Sequence, residues 1–318
     1  MMPLRQFIKN QLGANNRNRA RIISRCIDDL AQTFNTPRSN PISIEDIKST
    51  LIDLGITPGD TIHLHSSISF LYRGGLSQSE SPPESPLKYA NQIITALIDI
   101  VGPEGTILMN TDSLAMELKR KIWTNDSDAF VFDYARSPSR RGLLSELFRR
   151  RKDTIRSLHP WYNVTGWGKR AQELIGDHEQ STPYTMDTDS PWYKLMNSGG
   201  KVVLLGKTFD VNSFIHLTEY LHPDEFPRPV FFNKPVTMKY YDCQRQIKQI
   251  EVMLHARVWR DGAPTLFANY LDEKYDIYNI RKFRDDVQIV TFAAKDEYDA
   301  IYNEMKDGIT WYDTRFLP

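Results

Sequence analysis

Seven histidines carry most of the proton chemistry available to this 318-residue chain: His63, His65, His159, His178, His216, His222 and His255. An imidazole titrates close to neutral pH, so it can take a proton from a substrate and hand it on. Two placements suit a general base. His178 sits between Asp177 and Glu179 in a loop-like stretch that could face a cleft. His216 and Glu219 are three residues apart in NSFIHLTEY, which on a helix puts them on one face. There the carboxylate would orient the ring and stabilise its charged form. His63 and His65 alternate in TIHLHSS and share a face if that segment is a strand, a spacing zinc can use. Spacing fixes no third ligand, and no metal is expected. His159 precedes Pro160 and reads as a structural or cofactor-loop residue.

Covalent and nucleotide-hydrolysing chemistries are not signalled. The two cysteines, Cys26 and Cys243, form neither a disulfide framework nor a metal-ligand pair. There is no G-x-S-x-G elbow, no phosphate-binding GxxxxGK[ST], no GxGxxG and no HExxH. One anion-binding region does stand out. Residues 136–156 hold eight basic side chains against Glu146 and Asp153, beside a predicted helix start at Ser139. A helix N-terminus in such surroundings suits a polyphosphate.

These residues need a frame. Forty per cent of the chain is hydrophobic, enough for a sizeable core, and 40 basic residues balance 40 acidic ones. That balance argues against a polybasic nucleic-acid or membrane binder. The mean hydropathy of −0.48 implies much polar surface or long polar loops. Residues 1–40 carry a net charge of +5 and have apolar spacing suited to helices. A break at Pro37 and Pro41 sets them apart as a basic helical extension. The remainder, 41–318, reads as one domain. Helices are expected at 43–54 behind a Ser43 cap, at 88–101, at 139–151 and at 212–221. Strands are expected at 61–67, 106–111, 201–206, 236–242 and 287–294, with 244–259 either helix or strand. Residues 77–86 and 113–135 read as polar and irregular. Alternation of this kind predicts an α/β core with a mixed sheet, and ligands bind such sheets where strands end and helices begin. HSS, MNT and the loop after LLG all fall at that edge.

Taken in order, GDTIHLHSSIS, GG, ALIDIVGPEGTILMNT, SPSRRGLLSELFRR, IRSLHP, SPWYKL, GGKVVLLGK and NSFIHLTEY resemble the aminoglycoside 3-N-acetyltransferase family. The match runs over about 42 to 220. The resemblance implies a three-layer α/β/α antibiotic N-acetyltransferase fold with a central mixed sheet. It also implies acetyl-CoA, or another acyl-CoA, as donor and a primary amine of an aminoglycoside-like amino sugar as acceptor. Ser66 and Ser67 match the family's HSS, near the pantetheine end of the cofactor. Ser139, Arg140 and Gly142 match P-S-R-x-G at the coenzyme A phosphates, and Arg156 and Ser157 begin its R-S-x-H-P. His178 matches the histidine shortly before SP and is the expected base, with His216 and Glu219 as the other catalytic candidates. Thr111, Asp112, Asn212 and Ser213 are expected on the acceptor side. There the sequence departs from the family, with Asn110 where a proline is usual and Ser213 in place of a threonine.

The partner is thus a small amine, with no nucleic acid and no membrane, in a reducing, cytoplasmic compartment. The nearest rival is the same transfer onto a nucleotide-linked amino sugar. A coenzyme A-binding protein without catalysis and a zinc hydrolase built on His63 and His65 are the others.

Overall fold

The structure, a computed structural model, describes residues 41–73, 85–113, 131–256, 263–284 and 287–316. The basic extension 1–40 lies outside the described residues, as do most of 77–86 and 113–135.

Helix α1 (Ile44–Asp53) starts where Ser43 accepts a hydrogen bond from the Asp46 amide at 2.9 Å, and it turns Ile47 and Leu51 into the core. Strand β1 (Thr61–Ser66), short helix α2 (Ile68–Arg73), helix α3 (Pro86–Val101) and strand β2 (Thr106–Asn110) follow. Helix α3 begins two residues before the sequence expectation, because the Ser85 hydroxyl accepts from the Lys88 amide and Pro86 sits in the first turn. Next come β3 (Val131–Asp133), α4 (Leu143–Arg149), β4 (Thr154–Arg156), β5 (Val164–Gly168), α5 (Ala171–Ile175), α6 (Pro191–Asn197) and β6 (Lys201–Leu205). The last third holds α7 (Leu217–Leu221), β7 (Val236–Tyr241), β8 (Ile247–Val252), α8 (Ala263–Tyr275), β9 (Asn279–Arg284), β10 (Val287–Ala293) and α9 (Ala294–Lys306).

Seven strands form a mixed sheet in the order β4-β5-β2-β1-β6-β10-β9. Its centre, β2-β1-β6, is parallel, and antiparallel strands flank it on both sides. Alternate residues of the central strands feed two separate cores, as a period of two requires. Leu64, Met109 and Val203 pack with α1, α3 and α4 on one face. Leu108, Val202, Leu204 and Phe292 pack with α5, α6, α8 and α9 on the other. Helices therefore cover both faces of the sheet, and His63 and His65 share the second of them.

Three sequence expectations change. A second sheet, β3-β7-β8, closes over Phe132, Trp161, Ile250 and Val252, and residues 247–252 of the ambiguous segment are strand. The helix expected over 139–151 spans only Leu143–Arg149. Gly142 precedes it at φ 103°, a conformation that favours glycine, and Ser139 instead accepts from the Arg141 amide at 3.1 Å within the preceding turn. The helix expected over 212–221 is α7 alone, entered through a tight turn over Phe214–His216.

Candidate active site

A cleft of about 370 Å³ opens at the carboxyl ends of β1 and β2 and at the loop that follows β6. This is the edge where parallel strands leave room for a ligand. Its polar walls include His65, Ser66, Asn110, Arg141, Tyr162, Asp210, Asn212, Ser213, His216 and His255, with Trp311 beside them.

One corner is built around Glu219, which is completely buried. The tight turn before α7 brings His216 and Glu219 onto one side, so that His216 Nδ1 meets Glu219 Oε2 at 3.0 Å. His255, just beyond β8, brings its Nε2 to the same oxygen at 2.5 Å. Trp311 donates its indole N–H to the other oxygen, Oε1, at 2.9 Å. Burial alone would push this carboxyl up. The two imidazoles and the hydrogen bonds they donate outweigh it and hold Glu219 well below the usual carboxylate range. An ionised Glu219 fixes the proton of His216 on Nδ1 and leaves Nε2 as the basic nitrogen. The His216 side chain is 15% exposed, enough for a reactant to reach it.

The floor is a polar row. Ser213 Oγ accepts from Trp192 Nε1 at 2.8 Å and from Asn110 Nδ2 at 3.3 Å, and lies 3.2 Å from His65 Nε2. Asn110 Oδ1 in turn lies 2.9 Å from His63 Nε2. Burial lowers His63 to about 4, against a hydrogen bond to Asn110 Oδ1 that favours the charged form, and burial, with help from His63 and Arg141, holds His65 well below its ordinary value. Their rings stack at 5.0 Å. Among the described residues no third ligand joins His63 and His65, so the pair is not part of a three-ligand metal group. Ser213 and His65 do not make an activated nucleophile either, since His65 has an imidazole stacked on it where such a pair needs a carboxylate.

Several expected residues lie elsewhere. His178 is completely buried, with Nδ1 3.1 Å from Ser157 Oγ and Nε2 3.1 Å from the Thr185 carbonyl, and it stacks on His159 at 4.6 Å. Burial and neighbouring His159 lower it well below its ordinary value. It is not among the residues that line the cleft, and both its nitrogens are engaged with the surrounding scaffold. Ser157 supports it from below, accepting from the Val164 amide at 3.0 Å, and is not among the residues that line the cleft. Ser139 is also buried, against Ser145 at 2.9 Å.

Arg156 was expected to bind phosphate. Instead it ties together Thr111, Ser113, Asn163 and the carbonyls of Tyr134 and Ser137, using the whole guanidinium internally. Burial, then Arg149, lowers it to about 9. Other basic residues of 136–156 are likewise paired: Arg149 and Arg150 with Glu146, and Arg151 with Asp153. Thr111 is buried against Asn163 and Thr165, and buried Asp112 pairs with Arg141, so neither touches the cleft directly. Arg140 donates its amide to the Asp112 carbonyl. Ser67 Oγ meets Ser69 Oγ at 3.1 Å.

The structure does bring Ser66, Asn212, Ser213 and His216 together in the cleft. It adds His255, Tyr162, Trp311 and Arg141, which sequence reasoning did not place there. Arg141 fills the variable position of the P-S-R-x-G motif, and the other three stand in no recognisable motif. His255 and Trp311 come from segments far along the chain, so only the fold shows them meeting Glu219.

A sheet that is parallel at its centre, helices on both faces and a cleft holding an oriented histidine–carboxylate pair give an α/β protein with a site able to move a proton. The chain belongs to the aminoglycoside 3-N-acetyltransferase family, whose sequence profile matches residues 84–292. It is 27% identical over 237 residues to an SPbeta prophage-derived aminoglycoside N(3')-acetyltransferase-like protein of Bacillus subtilis, covering 70% of this chain and 79% of that protein. It is 28% identical over 221 residues to aminoglycoside N(3)-acetyltransferase IX of Micromonospora chalcea, covering 66% and 73%. The AAC-IIIb binary complex with CoASH shares the fold, with a TM-score of 0.66 at 23% identity over 85% of this chain and 98% of that one.

Proposed function

We propose that this protein transfers an acetyl group from acetyl-CoA to a primary amine of an aminoglycoside-like amino sugar, with residues 41–318 acting as one transferase domain. Family membership supports the reaction, and a relative that binds CoASH supports the donor. One observation carries the assignment of the base: His216 lines the cleft while buried Glu219 holds its Nδ1 at 3.0 Å.

An amino-sugar amine is largely protonated near neutral pH, and only the neutral amine attacks a thioester. Coenzyme A supplies the activated acetyl carbon. His216 Nε2 accepts the amine proton as the nitrogen–carbon bond forms and the carbon–sulfur bond breaks, and the departing thiolate is protonated in turn. Glu219 keeps the imidazole in the accepting tautomer and stabilises its charged form. Ser66, Ser67, Arg140 and Gly142 remain the donor-side candidates. Asn212 and Ser213 remain on the acceptor side. Ser139, Arg156, Ser157 and His178 are scaffold. No described helix is long and apolar enough to cross a membrane, and an exposed, free Cys243 suits the reducing cytoplasm where acetyl-CoA is made.

Thiol release from acetyl-CoA should rise with aminoglycosides carrying a 3-amino group. A second reading, transfer onto a nucleotide-linked amino sugar, is favoured by Arg141, a cation in the cleft wall that suits a phosphate. The same panel decides between them. Release with sugar nucleotides alone would replace the first reading with the second, and tight coenzyme A binding without release for any amine would overturn both.

A further inference from the structure

The Glu219 corner has a property that proton transfer does not require. His216 Nδ1, His255 Nε2 and a Glu219 oxygen all lie within 4.8 Å of one another. Two imidazole nitrogens aim at one carboxylate oxygen, at 3.0 and 2.5 Å. Removal of their protons would therefore leave two lone pairs converging on one point beside an anion. That is the donor set of a two-histidine, one-carboxylate metal site. Zinc bonds of about 2.0–2.1 Å in tetrahedral array separate neighbouring ligand atoms by about 3.3 Å, so the two histidine–carboxylate pairs need open by less than about 1 Å. Trp311 already holds Oε1, leaving Oε2 to face the two rings, the outer support that a ligating carboxylate usually has. His216 borders the cleft, which gives an ion a way in and leaves a fourth position for water.

We propose that His216, Glu219 and His255 form an inhibitory binding site for a zinc-type divalent ion. The inhibition, though not the binding, rests on the transferase reading. A metal on Nδ1 of His216 forces the remaining ring proton onto Nε2. The nitrogen that should accept a proton then becomes a donor, and Glu219 is drawn from the ring to the ion. Metal occupancy and acyl transfer are mutually exclusive states of one corner.

Binding is read without the reaction by titrating the chelator-treated protein with Co²⁺. One equivalent should produce the intense visible bands of a tetrahedral ion, and Zn²⁺ should abolish them. His255→Asn keeps a donor toward Glu219 but lacks the imidazole, and it should weaken Co²⁺ binding by about 10-fold or more. The same change in His222, paired with Glu225 away from this corner, should leave binding unchanged. In the transfer assay, Zn²⁺ should inhibit reversibly, and His255→Asn should need about 10-fold more Zn²⁺. Absence of tetrahedral bands, or bands that survive both His255→Asn and Glu219→Gln, would overturn the site. Stoichiometric binding with undiminished acetyl transfer would overturn the inhibition alone. An inactive protein with normal Co²⁺ binding would count against the transferase reading and leave the metal site standing.

Discussion

Two carboxyl groups sit out of water beside this cleft, and their surroundings shift them in opposite directions. Glu219 receives Trp311 on one oxygen and two imidazoles on the other, and it is held ionised. Glu297 is 2% exposed and receives only neutral donors, Asn212 Nδ2 at 2.7 Å and Tyr278 Oη at 2.8 Å, both on Oε1. Its Oε2 has no partner among the described residues, and burial pushes it up to about 7 against the pull of those two bonds. The state of a buried acid here follows from the number and kind of its donors more than from its depth. Glu219 can therefore orient a base. Glu297 keeps a proton up to near-neutral pH and positions Asn212 at the cleft wall.

The widest test of that contrast is kinetic. His216→Ala should lower kcat by about 10²–10⁴-fold at unchanged fold, measured by thiol release, and a loss of under 10-fold would remove it as the base. Glu219→Gln replaces an anion by an amide that cannot accept from all three donors. It should lower kcat by about 10²-fold, whereas Glu297→Gln should change kcat far less.

The second test is thermodynamic, and the two acids should give slopes of opposite sign. The folded value of Glu297 lies above its unfolded value of 4.5. Between about pH 4.5 and 7 the folded state therefore binds a proton that the unfolded chain has lost, and stability falls as pH rises, by about 3 kcal/mol over that window. Urea midpoints of Glu297→Gln should lack this slope. Glu219 is depressed, so its contribution is present above its unfolded value of 4.5 and is lost as pH falls toward its folded value. Glu219→Gln should flatten the acid limb and leave the neutral slope in place. Identical pH profiles for the two variants would break the comparison.

The smallest effect belongs to the other histidine cluster. His178→Ala should cost about 1–3 kcal/mol of stability by stranding Ser157 Oγ and opening a hole against His159, with kcat within a few-fold of wild type.

The same contrast marks how far the sequence could be read. Helix α1, the central strands and the mixed sheet followed from apolar period and caps, because those signals are local. Family motifs also pointed to the HSS strand end and to the segment around His216. Which histidine faces the cleft was not local information. His178, between two acids, looked the better base, but Asp177 and Glu179 take no part in its hydrogen bonds and the ring is sealed under Ser157 and Thr185. Arg156 looked like a phosphate ligand because a cluster of arginines does not show which members are already spent on carbonyls. His255 and Trp311 carried no pattern at all, since their meaning comes only from converging on Glu219.

The polar row beneath the cleft has a direction. Ser213 accepts two N–H groups, from Trp192 and Asn110, so its own hydrogen must go to His65 Nε2. Asn110, accepting through Oδ1, fixes the proton of His63 on Nε2. Each member thus has its hydrogen committed, and reversing the row would set donor against donor at Trp192, whose indole cannot accept. A relay that cannot reverse cannot carry protons in succession. On the proposed reading, with His216 as base, this row offers no inward path, and the proton it gains leaves through the mouth of the cleft, on the departing thiol or into solvent.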